Sequence, residues 1–205
     1  MHYDEYFSNV FLNICNIAIL NTWQKRSLSE IASIIMGQSP SSKNYTTDTN
    51  DSILVQGNAD LHLGQIVPRV WTKQITKMAR SNALILTVRA PVGQVAITNS
   101  CVVLGRGVAG ITGPAILYYV FQYLNTSHYW ERVSSGSTFD AINSNDLENI
   151  PVTLPNSVEQ DKIFIALKKI DNLIAVNQRN LQYVKLCKIQ FKDHQILPTE
   201  RCFST

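Results

Sequence analysis

The sequence predicts an α+β protein: one domain with a small mixed β-sheet and short helices, followed by a long C-terminal coiled-coil helix. Three observations carry this reading. Between residues 53 and 111 the chain is a series of short apolar runs broken by Gly, Pro and Asn, the pattern of short buried strands. From Ile163 to Phe191 apolar residues recur in steps of four and three, which lays one stripe along a helix. There is no internal repeat and no linker suggesting a second globular domain, and 205 residues suffice for one core plus an appended helix.

Taken in order, residues 1–20 place Tyr3, Phe7, Val10, Ile14 and Ile17 on one face and predict a short amphipathic helix. Asn21 to Arg26 reads as a polar connection containing Trp23. Leu28 to Met36 reads as a strand or a short helix ended by Gly37, and the Ser/Thr/Asn/Asp-rich stretch that follows, to Asp51, reads as a loop. Long loops in compact domains often carry function. Strands are expected at 53–57, 83–89, 93–98, 101–105 and 108–111, helical segments after Pro114 and around His128 to Val133, a loop from Ser134 to Ile150, and a last strand at 150–155.

The long helix is expected from Ser157 to Gln195, with Pro155 before it and Pro198 after it. Ser157 suits an N-cap and Gln160 the matching position of a capping box. About 36 helical residues at ~1.5 Å each give a rod of roughly 54 Å. The seam comprises Ile163, Leu167, Ile170, Ile174, Asn177, Leu181, Val184 and Phe191, with polar Asn177 and Lys188 of the kind that select register and orientation. A helix folded back on its own domain is the alternative to one projecting to meet a partner helix; the second is favoured. The expected domains are thus 1–20, 21–155 and 156–197.

The net charge is +3. Leu61 to Trp130 holds no Asp or Glu but contains Arg69, Lys73, Lys77, Arg80, Arg89 and Arg106, so the remainder is net acidic. Such a window suits a polyanion partner, or is simply a solvated basic face. No apolar run is long enough to span a membrane, and the acidic start lacks a secretory n-region. Cys15, Cys101, Cys187 and Cys202 have no Cys-x-x-Cys spacing and read as free thiols in a reducing cytoplasm.

Signatures of chemistry are absent. There is no phosphate-binding Gly-x-x-x-x-Gly-Lys loop, and Gly105-Arg106-Gly107 lacks the rest of a dinucleotide fingerprint. His2, His62, His128 and His194 are scattered, no Gly-x-Ser-x-Gly elbow occurs, and no acid cluster suggests a nuclease. These absences argue against an intrinsic catalytic or metal site.

Several stretches together resemble one family. They are Trp23 with Leu28 to Ile31, Gly37-Gln-Ser-Pro40, Arg89 with Ala90-Pro91-Val92-Gly93, Arg106-Gly107, Ser135 to Thr138, Ile150 to Pro155, and Glu159-Gln160 followed by Ile163, Leu167, Asp171 and Ile174. Their order and spacing resemble the specificity subunit of type I restriction–modification systems over roughly Trp23 to Phe191. Full-length members carry a target-recognition domain and a long helix twice, with the helices paired antiparallel as a spacer. This chain has the unit once, so the resemblance implies a half-subunit that forms a homodimer. It further implies binding of double-stranded DNA at a short half-site, docking of methyltransferase (modification) subunits, and indirect docking of the restriction/translocase subunit. S-adenosylmethionine, ATP and magnesium would belong to those partners, with no cofactor bound by this chain. The first twenty residues fall outside the resemblance.

With DNA as the implied partner, Arg69, Lys73, Lys77 and Arg80 are the leading contacts, since cations neutralise phosphates and Arg also reads guanine. Trp71 either stacks on bases or is buried; burial is favoured. Gln38, Ser39, Lys43, Asn44 and Tyr45 offer adenine-reading amides and phosphate-binding groups, or form a plain surface loop. Arg89 either touches the DNA backbone or braces the Pro91–Gly93 turn. Ser137 and Thr138 offer hydroxyls to phosphates. Two other functions remain open: a recognition module detached from a fused restriction-methylation enzyme, against which the start at Met1 and the lack of a methyltransferase motif speak, and a coiled-coil interaction protein without a DNA role.

Overall fold

The computed structural model describes residues 23–134 and 141–194. The chain divides into two compact units, Met1–Asp161 and Lys162–Thr205. The expected helix over residues 1–20 lies outside the described residues, as do Ser137 and Thr138.

In the first unit, strand β1 (Gln24–Ser27) leads into a one-turn helix α1 (Leu28–Ile31) and strand β2 (Ser33–Met36). Asn21 to Arg26 is thus not merely a connection. Its second half is a strand because it has a partner far along the chain, β13 (Pro151–Leu154), paired antiparallel from Gln24↔Leu154 to Ser27↔Pro151. Leu28 to Met36 is both of the structures expected for it, helix and then strand. Short strands β3 (Tyr45–Thr46), β4 (Ser52–Val55), β5 (Leu61–His62), β6 (Gln65–Ile66), β7 (Trp71–Thr72) and β8 (Met78–Ala79) follow. Next come β9 (Leu84–Thr87), β10 (Val95–Ile97), β11 (Val102–Leu104) and β12 (Val108–Thr112), then helices α2 (Leu117–Thr126), α3 (Tyr129–Ser134) and α4 (Ser144–Glu148). Helix α4 lies where a loop was expected. The Asn143 side chain accepts a hydrogen bond from the Asp146 amide at 2.9 Å, an N-cap that starts a turn in a polar stretch.

The strands form two mixed sheets and the β1–β13 ribbon. One sheet runs β2-β12-β9-β10-β6-β5 and the other β3-β7-β4-β11-β8. The core lies between them: Val55, Ala79, Val102 and Leu104 from the second sheet meet Ile85 and Val108 from the first. Side chains alternate across a strand, so Leu84 and Leu86 point away from Ile85. They are buried as well, which gives β9 the unbroken apolar run of a strand covered on both faces. Helix α2 packs beside β10 and buries Leu117, Tyr119, Phe121 and Leu124.

The close approach of the two sheets rests on glycines. A Cβ on Gly37 would collide with the Gly105 carbonyl, and one on Gly107 with the Gln56 carbonyl. The Arg106 loop between β11 and β12 is thereby held against β2 and β4. The Ala90–Pro91–Val92–Gly93 turn exposes Ala90 and Pro91 and buries Gly93. Thr87 Oγ1 donates to the Pro91 carbonyl at 2.7 Å and accepts from the Gln94 amide at 2.9 Å, while Gly93, at φ +96°, leaves room for the Trp130 ring.

Helix α5 (Ser157–His194) is continuous over 38 residues, about 57 Å at ~1.5 Å per residue. Its cap is Asn156, not Ser157. Asn156 Oδ1 accepts from the Glu159 amide at 3.1 Å, and the Gln160 amide nitrogen reaches back to the Pro155 carbonyl at 2.7 Å instead of closing a capping box. The asparagine carboxamide already fills the capping role one residue earlier.

In the second unit, the positions assigned to the seam lie on α5 and differ in burial. Ile163, Ile170 and Ile174 are half-buried, Leu167 is buried and Asn177 is exposed. Leu181, Val184 and Phe191 stand on helical backbone, and their side chains lie outside the described residues.

Candidate nucleic-acid interface

The loop after β2 and the segment between β7 and β8 are about 30 residues apart in sequence and lie together in space. Gln74 joins them. Its Oε1 accepts from the Ser41 amide at 2.9 Å and from the Asn44 side-chain amide at 2.7 Å. Thr72 Oγ1 donates to the Asn44 carbonyl at 3.2 Å, the Lys73 amide reaches the same carbonyl at 3.1 Å, and Thr76 donates to the Gln38 carbonyl. The third component is the glycine-flanked Arg106, whose amide donates to Ser39 Oγ at 3.1 Å. The Gln38 amide bonds to the Leu104 carbonyl at 2.8 Å, and the Leu104 amide to the Lys77 carbonyl at 2.8 Å. Three surface segments are thus fastened to one another.

The arrangement leaves cations and amides at the surface. Gln38, Lys43, Lys73, Lys77 and Arg106 are exposed, and Ser39, Asn44 and Tyr45 are half-buried. Strand pairing also brings an acid near this surface, since Ser52 pairs with Thr72 and Asp51 precedes it. Freedom from acids along Leu61 to Trp130 therefore does not extend unchanged into space. Trp71 is half-buried in β7, between β3 and β4.

The other expected contacts stand elsewhere. Arg69 is engaged from inside the domain: its Nε lies 3.6 Å from the buried Asp60 carboxylate and its Nη1 donates to the Ala59 carbonyl at 3.3 Å, with the side chain still half exposed. Arg80 opens the turn before β9, its carbonyl accepting from the Ala83 amide at 3.1 Å. Arg89 pairs through its backbone with Ala141 and exposes its side chain. Away from this surface, Arg26 donates to the Glu30 carboxylate at 3.1 Å, and this bond, helped by the Ser27 hydroxyl, holds Glu30 below the ordinary carboxylate range. Among the described residues no group of His, Cys, Asp and Glu is placed to hold a metal ion, and no helix is long and apolar enough to cross a membrane.

Sequence reasoning assigned Gln74, Thr76 and Arg106 no site role. The Thr-Lys-Gln-Ile-Thr-Lys run displays its lysines, but nothing local shows that the intervening amide and hydroxyl are turned toward a loop 30 positions away.

Residues 21–186 match the model of the type I restriction modification DNA specificity domain, and the chain belongs to that family. It is 35% identical over 161 residues to a putative type I restriction enzyme MjaX specificity subunit of Methanocaldococcus jannaschii, an alignment that covers 76% of this chain and 37% of the relative. Among solved structures, the HsdS subunit from Thermoanaerobacter tengcongensis shares 31% identity at a TM-score of 0.67, covering 79% of this chain and 40% of that one. A chain from a structure of the assembly and conformational transition of the type I R-M system shares 28% identity at a TM-score of 0.76, covering 89% and 48%. The S subunit from M. genitalium, at 12% identity and a TM-score of 0.64, shares the fold. The chain spans about half the length of these relatives or less.

Proposed function

We propose that this protein is a non-catalytic DNA-recognition and scaffold subunit of a type I restriction–modification complex. It binds double-stranded DNA at one half-site, pairs through α5 with a second copy, and docks methyltransferase subunits and, through them, the restriction/translocase subunit. S-adenosylmethionine, ATP and magnesium belong to those partners. The observation that carries the DNA contact is the fastening of the 38–45 loop, the 73–77 segment and Arg106 into one surface with exposed cations. A surface of this composition neutralises phosphates through Lys and Arg and offers amides to base edges.

The test is the salt dependence of duplex binding. Removing a cation that neutralises one phosphate flattens the slope of log K against log salt by about one unit. Replacing Lys73 and Lys77 together with Ala is expected to flatten it by about two. An unchanged slope would move the DNA face elsewhere on the molecule.

A further inference from the structure

We infer that Ile75 is a specificity-determining residue that reads a thymine methyl group in the half-site. The inference rests on the proposed DNA-binding role of this surface and adds to it the chemistry of one base contact. Ile75 is 60% exposed, a large apolar side chain in water between two exposed lysines. Exposed single apolar residues are ordinary on protein surfaces. Ile75 is set apart by what its neighbours do. The Gln74 side chain is tied to Ser41 and Asn44, its own amide donates to Thr72 Oγ1 at 3.1 Å, and the Thr76 hydroxyl donates to the Gln38 carbonyl. The backbone on both sides of Ile75 is thereby held, and the isoleucine is the outward side chain of a fixed segment, not the tip of a loose loop.

Lys73 and Lys77 suit phosphates, which position a protein on DNA without reading sequence. Between them an apolar side chain has no use for a phosphate. The apolar feature that a duplex presents in its major groove is the C5-methyl group of thymine, and aliphatic side chains read it by contact. A β-branched side chain with few rotamers, on a braced backbone, meets such a methyl at little entropic cost.

The test begins by selecting duplexes bound by the full chain. Each thymine of the selected half-site is then replaced in turn by deoxyuridine, which removes the methyl group and leaves the pairing edge intact. One position is expected to lose about four-fold in affinity, the effect of removing one methyl group from an apolar contact. Ile75→Ala is expected to bind the thymine and deoxyuridine duplexes equally and to relax the selected base there. Lys73→Ala/Lys77→Ala is expected to keep the methyl sensitivity while its salt slope flattens. A half-site with no methyl-sensitive position, or full sensitivity retained in Ile75→Ala, would overturn the inference alone if the lysine variant still flattens the slope. A lysine variant with unchanged slope would remove the DNA-binding reading of this surface, and this inference with it.

Discussion

Asp60 illustrates how a single side chain can organise a turn and redirect a neighbour. It is 5% exposed, and its Oδ2 accepts from the Gln56 and Gly57 amides at 2.7 and 3.3 Å. Those donors would otherwise be orphaned where the chain leaves β4. The same carboxylate draws in Arg69, which from sequence stood with the DNA-contacting cations. Asp60→Ala leaves two amides without an acceptor and is expected to lower stability by about 2 kcal/mol, within the usual range for buried groups left unsatisfied. Urea denaturation measures it. A decrease as small as that of an exposed substitution would mean that water replaces the carboxylate. In the sequence Asp60 is visible only as the last acid before the basic window, because its hydrogen-bond donors are backbone amides that any residue could supply.

At the scale of the element, the start of α5 separates two residues that look alike in sequence. Asn156 and Ser157 are both good N-caps, and only the folded chain shows that the Asn156 side chain makes the bond. Asn156→Ala is expected to cost about 1 kcal/mol and Ser157→Ala about a few tenths. Thermal unfolding of both variants checks this; equal effects would mean that the cap is shared. The β7–β8 segment behaves in a related way. Its lysines are legible as a charge run and the 38–45 loop as a candidate surface, but the bond between them depends on Gln74, whose role is set by the register of β3 on β7.

For the whole molecule, β1 and β13 are the structural feature with the longest reach. Their pairing brings the first described strand of the chain beside the strand that leads into α5. In the proposed dimer two α5 helices run antiparallel, with Ile174 of one copy near Asn177 of the other. The two recognition domains would then be related by a two-fold axis and read a symmetric, interrupted target. Ile174→Lys, which buries an unpaired charge in that seam, is expected to shift the protein to monomer in light scattering at micromolar concentration. Inserting a heptad after Asn177 lengthens each helix by about 10 Å and keeps the seam in phase. At ~3.4 Å per base pair the unread gap is expected to grow by about three base pairs in selected DNA. Recovery of the original gap would show that the helix does not set the spacing, and an unmodified protein that is monomeric alone and with its partners would rule out the pairing.

The sequence by itself determined the α+β class, the strands at 53–57, between 83 and 111 and at 150–155, the extent of the long helix, and the family. These rest on local periodicity, on turn residues and on motifs whose order is readable before any folding is considered. Tertiary structure decided which strands lie side by side, that the strands form two facing sheets, that Arg69 is drawn to Asp60, and that Gln74, Thr76 and Arg106 join the 38–45 loop. The physical reason is the same in each case. Short strands of two to five residues carry too little pattern to specify a partner, so pairing is chosen by the burial of Val55, Ile85, Leu104 and Val108 between the sheets, and the polar contacts at the surface follow from that choice.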